Sequence, residues 1–192
     1  MVVLLDLDEV LADFVGGALA AHRWTRERLN TVWQPGQWSI VEPMGLTVQQ
    51  FWAPINNAGE KFWIELQPTP WMQPLVHTIQ AMVGEAWYIV TSPSSNRLSW
   101  SGKLQWIHDH FGSQFDRVVF TAHKYLLANP QSILVDDRQE TIERFMDYGG
   151  RGITFPSRHN YLHLYAVDPV GYVSKQLKAH LEHLQCTSNL GT

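Results

Sequence analysis

Five short apolar-rich runs, each ending in acids, hydroxyls or proline, constrain this 192-residue chain more than any other feature. They cover residues 2–5, 86–90, 117–120, 132–135 and 152–155, and they run into Asp6, Thr91-Ser92-Pro93, Thr121, Asp136-Asp137 and Pro156. A strand exposed on one face alternates apolar and polar residues, whereas a strand buried on both faces reads as a continuous apolar run. Between the runs the spacing turns helical. Thr69 reads as an N-cap with Pro70 as first helical residue, Leu75, Ile79, Met82 and Val83 share a face, and Gly84 is a stop. Leu104, Ile107 and Phe111 repeat this before Gly112, as do Ile142, Phe145 and Met146 before Gly149 and Gly150. Strands alternating with helices predict an α/β fold, a doubly wound parallel (Rossmann-like) sheet whose binding groups gather beyond the strands' C-terminal ends. Asp6, Thr91 and Asp136 would then share one rim.

Residues 15–67 break the alternation. They hold helical patches at 18–29 and 47–57 and breakers at Pro35, Gly36, Pro43 and Gly45, and they read as a mostly helical insertion after the first strand. Residues 172–184 form a terminal helix with Val173, Leu177, Leu181 and Leu184 on one side. Composition narrows the setting. A net charge of −4, with 17% charged residues, argues against an extended nucleic-acid footprint, which needs clustered Lys and Arg. Cys186 is the lone cysteine, and no apolar stretch approaches the about 20 residues that span a bilayer. The expectation is a soluble, cytoplasmic protein without membrane contact.

Asp6 and Asp8, at i and i+2 beyond a buried strand, allow one acid to attack while the other handles protons. Asp136 and Asp137 end another strand, and carboxylates gathered on one rim make a hard oxygen site suited to Mg²⁺. Thr91 and Ser92 offer hydroxyls and N–H groups to phosphate oxygens, and Lys124 or Lys103 would neutralise its charge. Each feature has a plainer reading: Asp136 and Asp137 as helix caps, Thr91 and Ser92 as turn hydroxyls, the lysines as solvated residues, Arg138 as a salt-bridge partner.

Asp6-Leu7-Asp8-Glu9, then Thr91-Ser92-Pro93, then a lysine, then Val135-Asp136-Asp137-Arg138 resemble, in order, the four motifs of the haloacid dehalogenase superfamily. A response-regulator receiver would order its acids differently. Within the superfamily the chain is similar to the 5′(3′)-deoxyribonucleotidases. Val10-Leu11-Ala12-Asp13-Phe14, Glu65-Leu66-Gln67-Pro68, Trp106 to Gly112, Ile153-Thr154-Phe155 and His159-Asn160 carry that likeness across residues 2 to about 163. One departure stands out: Glu9 occupies a position where the family usually has glycine, so either its side chain points away or the site is altered.

The resemblance implies a phosphatase acting on (deoxy)ribonucleoside 5′-monophosphates. Asp6 would become an aspartyl phosphate, Asp8 would serve as acid and base, and Asp6, the Asp8 carbonyl, Asp136 and Asp137 would hold Mg²⁺. Thr91, Ser92, Lys124 and Lys103 would bind phosphate. Residues 15–67 would be a small helical cap on a core of residues 1–14 and 68–192, and the resembling enzymes are commonly homodimers. Six of the nine tryptophans (Trp24, Trp33, Trp38, Trp52, Trp63 and Trp71) fall between residues 24 and 71. Phe14, Trp38 and Trp63 match the positions that enclose the base, and Arg138 is a further substrate contact; the other insertion tryptophans are expected to be its core. Two alternatives stay open: a phosphatase for a sugar phosphate or other small phosphomonoester, and a non-catalytic nucleotide- or partner-binding module, for which Glu9 argues.

Overall fold

The computed structural model describes residues 1–189, with side chains described as far as His183. The expectations for Leu184 and Cys186 lie outside the described side chains. Strands β1 (Val2–Leu5), β2 (Trp87–Thr91), β3 (Val118–Phe120), β4 (Ser132–Asp136) and β5 (Arg151–Thr154) form one sheet in the order β3-β2-β1-β4-β5, with every pairing parallel. Each lies within a residue of the run that predicts it. The ladder continues through the polar ends: Asp136 pairs with Thr154 and Thr91 with Phe120. Those side chains are therefore aimed by the sheet and not by a free loop.

Helices cover both faces, which is why the strands are apolar at consecutive positions. On one face α7 (Gln139–Asp147) packs on β4 and β5, and Ile142 and Phe145 meet Leu4, Val90 and Leu134. On the other, α5 (Met72–Val83) covers β1 and β2, and α8 (Pro169–Asn189) packs on α5 and β5 with Val173 and Leu177 fully buried. The helix faces differ in part from their spacing. Leu104 and Met146 are exposed, and α6 (Leu98–Phe111) instead buries Ser99, Gly102, Lys103, Trp106 and Ile107. The Thr69 cap is also corrected: α5 begins at Met72, and the Thr69 hydroxyl donates to the Val10 carbonyl at 3.1 Å. That carbonyl also accepts from Trp71 Nε1 at 2.9 Å, so both side chains fasten the returning chain to the turn after β1.

Between β1 and α5 the described residues form helices, turns and irregular chain, with isolated β-bridges joining Ala12 to Asp8 and to Pro68. The 18–29 patch divides into α1 (Phe14–Ala21) and α2 (Arg26–Asn30), because Arg23 adopts φ 55°, outside the helical region. Asp13 caps α1 by accepting from Gly16 N at 2.8 Å, and Arg26 reaches back to it at 2.6 Å. Thr47 and Gln50 form a capping box on α3 (Val48–Ala58), and a short α4 (Glu60–Ile64), not anticipated, follows. α4 lies so close to α6 that a Cβ at Gly102 would stand 2.7 Å from the Glu60 carbonyl oxygen. Phe51, Ile55, Phe62 and Trp63 of this segment join the same apolar cluster as Val3, Leu5 and Ile89 of the sheet.

Candidate active site

The C-terminal rim of β1, β2 and β4 meets the helical segment at a cavity of about 320 Å³, lined on the sheet side by Asp6, Asp8, Lys124, Asp136 and Asp137. A 3₁₀ turn after β3 (Lys124–Leu127) delivers Lys124 between two of these acids. Its Nζ donates to Asp6 Oδ1 at 2.5 Å and to Asp136 Oδ2 at 2.7 Å. Burial lowers the lysine's proton affinity, but Asp6 and Asp136 outweigh it and hold its pKa above the usual value. Burial also pushes Asp136 up to about 6, with Asp6 adding repulsion, and it raises Asp137 well above the carboxylate range, with Asp136 contributing. Oxygens of Asp6, Asp136 and Asp137 lie within 4.8 Å of one another. One lysine serves three buried carboxyl groups, and a hard divalent cation, which would favour their ionised forms, fits that donor set. The Asp8 carboxylate stands outside this group.

Asp8 belongs to a second cluster. Lys103, buried on α6, donates to Asp8 Oδ2 at 2.5 Å, to Thr91 Oγ1 at 3.0 Å and to the Ser92 carbonyl at 2.8 Å, with its ammonium 4.8 Å from the Trp63 ring centroid. Burial raises the Asp8 carboxyl above its ordinary range, opposed by Lys103, and Asp8 Oδ1 is buried with no hydrogen-bond partner. Thr91 is fully buried and supports Lys103, while Ser92 reaches the cavity. Lys103 and Trp63 line a larger adjoining hollow of about 1100 Å³, which Asp8, Phe14, Trp38, Ser92 and Arg138 also face.

The opposite wall is aromatic. Phe14 stacks on Trp63, with centroids 5.8 Å apart and planes at 23°, and also contacts Trp52 at 5.8 Å. Phe51 and Trp52 line the cavity although spacing did not single them out; they lie next to each other on α3, where a helical pattern alone marks neither as ligand-facing. Trp38 is 47% exposed and stands at the mouth, while Trp33 and Trp63 are buried. The Arg138 guanidinium lies 5.8 Å from the Trp38 ring and pairs with Glu140 at 2.6 Å.

Glu9 borders the cavity. Its φ is 60°, the left-handed region that favours glycine, and its side chain turns back to accept from Val15 N at 2.7 Å while lining the cavity. Burial pushes its carboxyl up to about 7, with His159 opposing and Asp13 and Asp137 adding to the rise. His159, which the sequence marks only through the His159-Asn160 pair, lines the cavity and donates from Nε2 to Asp137 Oδ2 at 2.6 Å. Burial lowers its pKa.

Residues 1–169 match the family model described as 5′ nucleotidase, deoxy (Pyrimidine), cytosolic type C protein. Two relatives are mitochondrial 5′(3′)-deoxyribonucleotidases. The Mus musculus protein is 30% identical over 171 residues, which is 83% of this chain and 74% of the relative. The Homo sapiens protein is 27% identical over 170 residues, covering 82% and 71%. Among solved structures, a hydrolase from Streptococcus pneumoniae TIGR4 superposes with a TM-score of 0.51 at 16% identity, covering 86% of this chain and 96% of its own. A haloacid dehalogenase-like family hydrolase from Xanthomonas campestris gives 0.51 at 14% identity, with 94% and 91% covered. These two share the fold.

Proposed function

Because the chain belongs to the deoxy (pyrimidine), cytosolic type C 5′-nucleotidase family of haloacid dehalogenase-type phosphoric monoester hydrolases, we propose that it hydrolyses deoxyribonucleoside 5′-monophosphates through an aspartyl phosphate. The observation that carries this reading is the division of two carboxylates in one cavity: Asp6 bonded to Lys124, Asp8 bonded to Lys103. Lys124 holds Asp6 Oδ1, leaving Oδ2 to attack phosphorus as the bond to the nucleoside oxygen breaks. Asp8 Oδ1, buried without a partner, carries the proton that this oxygen receives. Asp8 then takes a proton from water, whose oxygen attacks phosphorus and releases phosphate and the Asp6 carboxylate. Asp6, Asp136 and Asp137 would hold Mg²⁺ with the Asp8 carbonyl, and the ion would offset charge on the transferring phosphoryl group. Ser92 and Lys103 would hold phosphate oxygens, with Thr91 fixing Lys103.

Residues 15–67 act in this reading as a cap that selects the nucleoside. Phe14, Trp38, Phe51, Trp52 and Trp63 border the two hollows beside Asp8, and base stacking on such rings contributes about 1–3 kcal/mol per base. That favours nucleotides over sugar phosphates. The test is phosphate release from a full set of ribo- and deoxyribonucleoside monophosphates and sugar phosphates, with Mg²⁺ and with EDTA. The expected result is a nucleotide preference that disappears with EDTA and returns with Mg²⁺; a flat or sugar-favouring profile overturns the substrate assignment. No helix of the described residues is long and apolar enough to cross a membrane. A reducing compartment is the proposed setting, supported by the lone cysteine. A homodimer, implied by resemblance, predicts a solution mass of twice 22.1 kDa.

A further inference from the structure

The loop after β5 carries a cluster that the chemistry above leaves unused. His159 is 4% exposed. Its Nε2 donates to Asp137 Oδ2 at 2.6 Å, and Asn160 Nδ2 donates to the Asp137 carbonyl and to the Phe155 carbonyl, each at 2.8 Å. The imidazole packs between two tryptophans of the inserted segment. It stacks on Trp33 at 5.9 Å and 17°, and meets Trp38 edge-on at 4.8 Å and 80°. The backbones are joined as well: Gly36 N donates to the Arg158 carbonyl at 2.8 Å, and the Arg158 guanidinium donates to the Trp33 carbonyl at 2.9 Å.

A carboxylate crowded by Asp6 and Asp136 is repelled by both and swings away unless something holds it. His159 supplies that restraint through its bond to Oδ2, and the two tryptophans set the imidazole's own position. The geometry points to His159 as a positioning residue that orients Asp137 toward a divalent cation and makes that orientation depend on the seating of the Trp33–Trp38 loop. This inference rests on the reading of Asp6, Asp136 and Asp137 as a cation site. Groups that hold a metal's ligands from outside are typically worth about 10–100-fold in metal affinity.

The test is calorimetric titration of the intact protein with MgCl₂ alone, without substrate, for wild type, His159→Leu, His159→Gln and His159→Asn. Glutamine can place an amide N–H near the position of Nε2, whereas asparagine is too short and leucine has no donor. The expected order is wild type, then Gln within a few-fold, then Asn and Leu weaker by about 10–100-fold. Trp33→Leu, which leaves the hydrogen bond possible but removes one wall, is expected to weaken Mg²⁺ by about 3–10-fold. If His159→Leu does not fold, Gln against Asn decides, and equal affinity in that pair overturns the inference. Wild type that binds Mg²⁺ while every His159 variant binds as tightly overturns it alone. Wild type that binds no Mg²⁺ overturns the cation-site reading and this inference together.

Discussion

The sheet rim and the inserted helical segment build opposite walls of the same cavity by different means. On the rim, β1 is hydrogen-bonded on both sides, Val135 O receives Asp6 N at 2.9 Å, and Lys124 fixes two of the acids, so charges are set by backbone ladders. The segment between β1 and α5 has no ladder. It is held by caps at Asp13, Thr25 and Thr47, by ring contacts among Phe14, Phe51, Trp52, Phe62 and Trp63, and by the packing of α4 on α6. Substitutions on the rim should therefore act on turnover and on the electrostatic cost of folding. Substitutions in the segment should act on which substrate binds.

The largest expected effect breaks the rim. Asp6→Asn should lower the rate of phosphate release by about 10³-fold or more while circular dichroism stays native, as befits loss of a nucleophile. A variant keeping a tenth of the rate would remove Asp6 from that role. Next, Lys124→Met strands Asp6 and Asp136 without their cation, and stability in EDTA should fall by about 3–5 kcal/mol in urea unfolding. Added Mg²⁺ should recover part of the loss, because the ion would balance the same charges.

Across the cavity, Trp52→Leu should raise KM for a deoxynucleoside monophosphate by about 5–150-fold, from the 1–3 kcal/mol of stacking, with kcat little changed. A drop in kcat as large as that of Asp6→Asn would erase the distinction between the walls. The smallest effect falls at Glu9, where the two meet. Its carboxyl rises from 4.5 to about 7 on folding, so the folded state binds its proton more tightly and stability falls as pH rises through that window. Glu9→Gln should thus stabilise the metal-free protein at pH 8 by on the order of 1 kcal/mol and have little effect at pH 4, measured by thermal unfolding in EDTA.

The rim was legible in the sequence to a degree that the opposite wall was not. A parallel strand covered on both faces must be apolar at consecutive positions, and the first polar residue after such a run must sit near the strand's end; this located Asp6, Thr91 and Asp136 on one rim. Helices in the insertion were legible in part: the patches at 18–29 and 47–57 are helical, but the break at Arg23 and the short α4 were not marked by spacing. Which rings face the cavity was not. Trp52 and Trp63 share a residue type, yet Trp63 is buried where α4 meets α6, a contact prepared by Gly102 far along the chain, while Trp52 on α3 lines the cavity. Thr91 falls in the same class, because Lys103, reaching over from α6, occupies its hydroxyl.

By itself, then, the sequence determined what repeats locally: five strands, of which the edge strand β3 is only half-buried, the helices between them, and the order in which acids, hydroxyls and lysines arrive at one edge. Only the tertiary structure decided how those groups are paired. Lys124 goes to Asp6 and Asp136, Lys103 to Asp8, and His159 to Asp137. The physical reason is range: strand and cap signals act over a few residues, whereas these pairs join positions 118, 12, 95 and 22 residues apart, and burial couples their charges strongly once the sheet has brought them together.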